Sequence, residues 1–171
     1  TEALLHEYLE CVEYDGGKYD ILWGVDEMLL GALATGARGA VGSTYNIAAP
    51  LYNEIIAAFH RGDLDQARSL QSRANRMIRT MYAYPFHAAL RIALEMLGIA
   101  CGPCRLPQRR LSPQDEEDLR SKLTEIGFLD IAAHAVGSRR GAMQRSDRAA
   151  SALSAPAHAV TSGDQTNHER V

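Results

Sequence analysis

The sequence predicts an α/β chain that carries two β/α units of a parallel barrel, then a helical region, then a disordered tail. Three observations support this. Two short apolar runs, Lys18–Trp23 and Gly39–Val41, each open into a polar loop that leads into a helical pattern. Capped helical periodicity then runs from residue 46 to 126, and the composition changes from Ile131 onward.

The first segment, Glu2–Tyr14, places Leu4, Leu5, Tyr8, Cys11 and Val12 on one helical face, as a crossover helix requires. After the turn at Gly16-Gly17, Lys18–Trp23 alternates as a strand with Tyr19, Ile21 and Trp23 on one side. Gly24-Val25-Asp26-Glu27 follows, then a helix over 26–35 that Gly36 ends. The second junction repeats the first. A small-residue strand at Gly39–Val41 opens into Gly42-Ser43-Thr44-Tyr45-Asn46, and another helix begins. Strand, loop and helix in series form the unit of a barrel whose active site lies at the C-terminal ends of its strands.

The helix over 46–60 buries Ile47, Leu51, Ile55 and Phe59 at steps of four, with Pro50 accommodated in its first turn. Gly62 stops it. Asp63 and Gln66 are placed as a capping box for the next helix, 63–83, whose stripe is Leu64, Ala67, Leu70, Ala74, Met77, Ile78 and Met81. A shorter helix spans 86–97. The last, 113–126, has Ser112 as N-cap, Pro113 in first position, acids at 115–118 and Gly127 as its stop. Three regions are therefore expected: barrel units over 1–62, helices over 63–130 and the tail over 131–171.

The tail holds no aromatic residue and no lysine, so it offers little apolar burial against the entropy of ordering. The net charge of −3 and the lack of a long apolar span argue against nucleic acid and membrane as partners. Three cysteines, Cys11, Cys101 and Cys104, leave an odd thiol, which suits a reducing, cytoplasmic setting. The CGPC run at 101–104 follows the helix-ending Gly98 and reads as a loop, without the strand-to-helix context of a redox site. The six histidines stand apart from one another, and no metal or cofactor is expected.

The block GVDEMLLGALATGARGAVGSTYN at 24–46, followed by RGDLDQARSLQ at 61–71, resembles the C-terminal part of the N-acetylneuraminate lyases of the dihydrodipicolinate synthase superfamily. The likeness runs from Thr1 to about Asp130. It implies a Schiff-base aldolase that cleaves N-acetylneuraminate to pyruvate and N-acetylmannosamine, on a (β/α)₈ TIM barrel whose last two strands lie here. Such a barrel takes typically about 250 residues, so a C-terminal fragment with a helical appendage is expected.

The resemblance also implies roles. Gly24, Asp26 and Glu27 match positions that meet the polyol of sialic acid, Gly42 and Ser43 match a substrate-binding Gly-Ser, and Thr1 matches a threonine two residues after the Schiff-base lysine. The residues alone leave helix capping open for Asp26 and Glu27, since acids are favoured in any first turn. No catalytic residue is expected within the chain. Its two lysines are Lys18, at the stability face of the barrel, and Lys122, in a charged helix where a protonated amine is a poor nucleophile. Tyr45 is not matched to the family's catalytic tyrosine.

The expectation is thus a lyase, inactive as this chain alone and a homo-oligomer when full length, with sialic acid and pyruvate as its small-molecule partners. The alternatives are a noncatalytic binding or assembly module, and another Schiff-base aldolase or dehydratase acting on a 2-keto sugar acid.

Overall fold

The computed structural model describes residues 2–132. Thr1 and the expected tail beyond Ala132 lie outside the described residues.

Helix α1 spans Glu2–Glu13, and a 3₁₀ turn at Tyr14–Gly17 follows it, with Asp15 at φ 52° and Gly16 at φ 71°. Only part of the expected face of α1 is inward: Tyr8 is buried and Leu5 and Val12 are half-buried, whereas Leu4 and Cys11 are exposed. Tyr8 carries the attachment. Its ring meets Trp23 edge-on at 5.3 Å, and its hydroxyl donates to the Ile21 carbonyl at 3.0 Å.

The two expected strands, Lys18–Trp23 and Gly39–Val41, do not form. Among the described residues there is no strand, only one parallel bridge between Trp23 and Ala40. Two backbone bonds make it: Trp23 N–H to the Gly39 carbonyl at 3.0 Å and Val41 N–H to the Trp23 carbonyl at 2.9 Å. A parallel pair is less stable per residue than an antiparallel one, and two strands alone make at best a marginal sheet. The side chains agree. Trp23 is buried, but Tyr19, Leu22 and Val41 are more than half exposed, so the alternating pattern has only one end covered.

After the bridge, a 3₁₀ turn at Asp26–Met28 runs into α2, Leu29–Ala34. Gly36, at φ 94°, closes α2 with an Ala37 N–H to Ala32 carbonyl bond of 2.9 Å, the left-handed ending that glycine permits. Helix α3, Tyr45–His60, bends at Ala48 (φ −140°), so Pro50 sits in the first turn of the regular part and breaks no interior bond. Helix α4 is Leu64–Tyr82, and Asp63 caps it by accepting from the Gln66 amide at 3.1 Å. Helices α5, Phe86–Met96, and α6, Pro113–Glu125, follow, with Ser112 capping α6 through the Asp115 amide at 3.1 Å.

The principal core is helical. Ile47, Leu51 and Ile55 of α3 meet Leu70, Ala74, Met77 and Ile78 of α4, and Ile92 of α5 and Leu119 and Leu123 of α6 close the cluster. This core crosses the boundary expected at residue 62, where Gly62 only turns the chain between two helices that pack together. Residues 128–132 form a further helical turn, and Phe128, Ile131 and Ala132 are buried in the same core. Phe128 and Ile131, three residues apart, share a helical face, and Ala132 joins them in the core. A second, smaller cluster gathers Tyr8, Trp23, Ala32 and Ala37.

Candidate functional site: a cleft between two loops

Both polar loops leave the bridge on the same side, because a parallel pair sends its two chain directions to one edge. They meet over Asp26. This residue is only 7% exposed, and its Oδ2 accepts from the Thr44 backbone N–H at 2.9 Å and from the Thr44 hydroxyl at 2.5 Å. The Thr44 hydroxyl also lies 2.6 Å from the Tyr52 hydroxyl, which extends the chain of bonds into α3. A buried carboxylate with such donors is a stable arrangement, whereas one without them carries a large desolvation penalty.

The other face of the Asp26 carboxylate rests on Gly42. A Cβ built at residue 42 would stand 2.6 Å from Asp26 Cγ and closer still to Oδ1. Glycine is therefore required at 42 by contact, and its backbone torsions play no part. At Gly24 the same construction meets nothing within 4 Å, so that position borders open space.

Gly24, Asp26, Glu27, Gly42 and Ser43, five of the six residues expected at the site, line one cleft of about 240 Å³. The sixth, Thr1, is outside the described residues. The geometry separates the two acids. Asp26 is taken up by Thr44, so it holds the loops together and does not project a free carboxylate. Glu27 is half-buried, lines the cleft, and has no protein hydrogen-bond partner among the described residues. Asp26 and Glu27 both stand in the first turn of the 3₁₀ segment, the place where the macrodipole favours acids. Ser43 is exposed, and Asn46 steadies its loop by donating Nδ2–H to the Ser43 carbonyl at 3.0 Å.

Several contributors were not anticipated from the sequence. Thr44 fixes Asp26 and is itself paired with Tyr52, Gln71 of α4 bonds to the Asp26 backbone, and Ile78, Tyr82 and Phe86 form the far wall. Tyr82 and Phe86 stack with ring centroids 4.7 Å apart. The signals were available: Gln71 is a polar residue within an apolar helical stripe, and Tyr82, Tyr84 and Phe86 are three aromatics around one proline.

The side chains lining the cleft include two carboxyl groups, of Asp26 and Glu27, and no cation. Burial pushes the phenols of Tyr45, Tyr52 and Tyr82 above the ordinary tyrosine value, and the Asp26 and Glu27 carboxylates raise all three further, although the Thr44 hydrogen bond opposes this at Tyr52. The Tyr45 hydroxyl is buried without a hydrogen-bond partner among the described residues. Neither lysine lies in the cleft. Lys18 pairs with Asp15, and Lys122 donates to Asp118 at 2.8 Å and to the Tyr84 hydroxyl at 3.0 Å. Those bonds hold the Lys122 amine above its usual range.

A larger cavity, about 430 Å³, lies between α5 and the loop that carries Cys101 and Cys104. Leu90, Leu94 and Leu106 dominate it and no carboxylate reaches it. Arg91 donates there to the carbonyls of Cys101 and Gly102 at 2.6 and 3.0 Å, so the space is where the loop is anchored. The cleft, with its converging polar groups, is the better candidate for binding.

Residues 3–126 match the Dihydrodipicolinate synthetase family. The chain is 37% identical over 134 residues to the N-acetylneuraminate lyase of Rattus norvegicus, covering 77% of this chain and 42% of that protein. Its fold is similar to the N-acetylneuraminate lyase of Proteus mirabilis, with a TM-score of 0.70 at 40% identity, over 73% of this chain and 42% of the other. The lyase (sialic acid aldolase) of Aliivibrio salmonicida gives a TM-score of 0.70 at 42% identity with the same coverage. The chain thus spans about two fifths of the length of these relatives.

Proposed function

The chain belongs to the Dihydrodipicolinate synthetase family, and we propose that its cleft is the sugar-binding side of an N-acetylneuraminate lyase site. The reaction proposed for the whole protein is cleavage of N-acetylneuraminate to pyruvate and N-acetylmannosamine through a lysine Schiff base. The similarity to N-acetylneuraminate lyases supports the substrate. The observation that carries the reading is the close approach of Asp26 to Gly42, which draws two loops into one cleft and leaves Glu27 directed at it.

The chemistry favours the polyol end of the sugar acid at this place. A carboxylate such as that of Glu27 accepts hydrogen bonds from hydroxyl groups, and a cleft lined by two carboxyl groups and no cation disfavours a substrate carboxylate. The stacked Tyr82 and Phe86 offer an apolar wall for the carbon face of the chain.

This chain by itself is proposed to be a binding element without lyase activity. Imine formation needs a neutral amine beside the carbonyl, and both lysine amines are held by carboxylates away from the cleft. The same fact favours the noncatalytic module as the second reading. The whole protein is proposed to be a cytoplasmic homo-oligomer without cofactor. Among the described residues no helix is long and apolar enough to cross a membrane.

Transfer-difference NMR tests the reading. N-acetylneuraminate and N-acetylmannosamine should receive magnetisation at their polyol protons, pyruvate should not, and Glu27→Gln should weaken the sugar signals. Sugar signals that are absent, or indifferent to Glu27→Gln, would overturn it.

A further inference from the structure

We infer that Gln71 of α4 is a positioning residue for the loop that carries Asp26 and Glu27, and through that loop for the cleft; the second part rests on the sugar-binding reading above.

Gln71 is 8% exposed and lies within the inward stripe of α4, between Leu70 and Ala74. A side-chain amide in such a place is unfavourable unless its hydrogen bonds are met. Here they are met by the loop. Its Oε1 accepts from the Leu30 N–H at 3.0 Å, and its Nε2 donates to the Asp26 carbonyl at 3.2 Å and to Asn75 Oδ1 at 2.9 Å. The donor and acceptor ends face an acceptor and a donor respectively, which fixes the orientation of the amide.

These bonds bracket Glu27. Helix α2 has no side-chain cap of its own at Met28, and the first amides of a helix lack internal partners. Gln71 supplies one of those partners from a helix 41 residues further along the chain. It also fixes the backbone of Asp26, whose carboxylate is fixed in turn by Thr44. The loop is therefore tied at 26 and at 30, and the carboxylate that faces the cleft stands between the two ties.

Two variants of the full chain separate the bonds. Gln71→Leu keeps the bulk and removes all three; Gln71→Glu keeps an acceptor for Leu30 N–H and removes the donors to Asp26 and Asn75. In Gln71→Leu the Leu30 amide should exchange about tenfold faster or more, as for an amide that has lost its only ordered partner. In Gln71→Glu its protection should persist. In both, the Thr44 amide proton should move upfield, although Gln71 makes no hydrogen bond to Thr44, while protection in Ala74–Ile78 stays as in the parent. Binding of N-acetylneuraminate should weaken about tenfold in both, the equivalent of about 1.4 kcal/mol.

Parent-like Leu30 and Thr44 signals in Gln71→Leu would overturn the inference, and so would shifted signals with unchanged sugar binding. Should Gln71→Leu fail to fold, the Thr44 signal and sugar binding of Gln71→Glu decide alone. A parent chain that binds no sugar while the signals shift as expected would remove the sugar reading and leave the positioning of the loop standing.

Discussion

Asp26 and Gly42 are in contact such that no side chain fits at 42 while the Asp26 carboxylate keeps its bonds to Thr44. Two residues 16 positions apart thus determine each other: the acid needs the glycine's bare Cα, and the loop after the bridge is held by the acid.

Gly42→Ala should therefore destabilise the fold by roughly 1–3 kcal/mol, the usual range for overpacking. Gly24→Ala, whose added methyl meets nothing within 4 Å, should change stability by less than about 0.5 kcal/mol. Urea denaturation measures both. Equal losses at the two sites would contradict the contact argument, and a sugar-binding defect in the stable Gly24→Ala would place ligand against that open space.

Thr44→Val removes one donor to a buried carboxylate and leaves Tyr52 without its neighbour, so a loss of about 1.5–3 kcal/mol is expected. Thr44→Ser keeps the hydroxyl and should recover most of it. Serine and valine variants of equal stability would mean that the hydroxyl contributes nothing.

Treatment with pyruvate and borohydride should leave the protein's mass unchanged. Lys122 is kept protonated by Asp118 and Tyr84, and Lys18 is paired with Asp15. A stoichiometric adduct on either lysine would show that an amine here can form an imine.

Alkaline stability follows from Tyr45 and Tyr52. Burial and the nearby acids raise both phenols above the ordinary value of 10.0, so above that pH the unfolded chain loses protons that the folded chain retains. Stability present below pH 10 should decline as pH rises past it, toward the higher folded values. Tyr45→Phe with Tyr52→Phe should flatten that decline in a series of denaturation midpoints. An unchanged slope would refute the assignment.

Helix termini were legible in the sequence because they depend on near neighbours. Asp63 and Ser112 cap as their spacing to residues 66 and 115 required. The strands did not form, because alternation at Tyr19, Ile21 and Trp23 describes one face that needs a partner along its whole length, and here Trp23 is buried, Ile21 half-buried and Tyr19 exposed. Gly24, Asp26, Glu27, Gly42 and Ser43 were singled out by the family resemblance together with their place in polar loops after apolar runs, while their types alone left helix capping open for the two acids. Their division of labour was not legible, since the partners of Asp26 lie 18 and 45 residues away and no local pattern joins them. The fold also continued through Ile131 and Ala132, where composition averaged over a tail concealed two residues with a place in the core.

The small cluster around the bridge contains the chain's one tryptophan, 2% exposed and apart from the main helical core. Its emission therefore monitors a single corner of the molecule, where α1 and both loops converge, while ellipticity monitors the helices. The two signals need not change together. Fluorescence lost in denaturant ahead of ellipticity would mean that the binding corner opens while the helical scaffold persists. The sequence has thus placed an optical sensor at the seam where α1 meets the two loops.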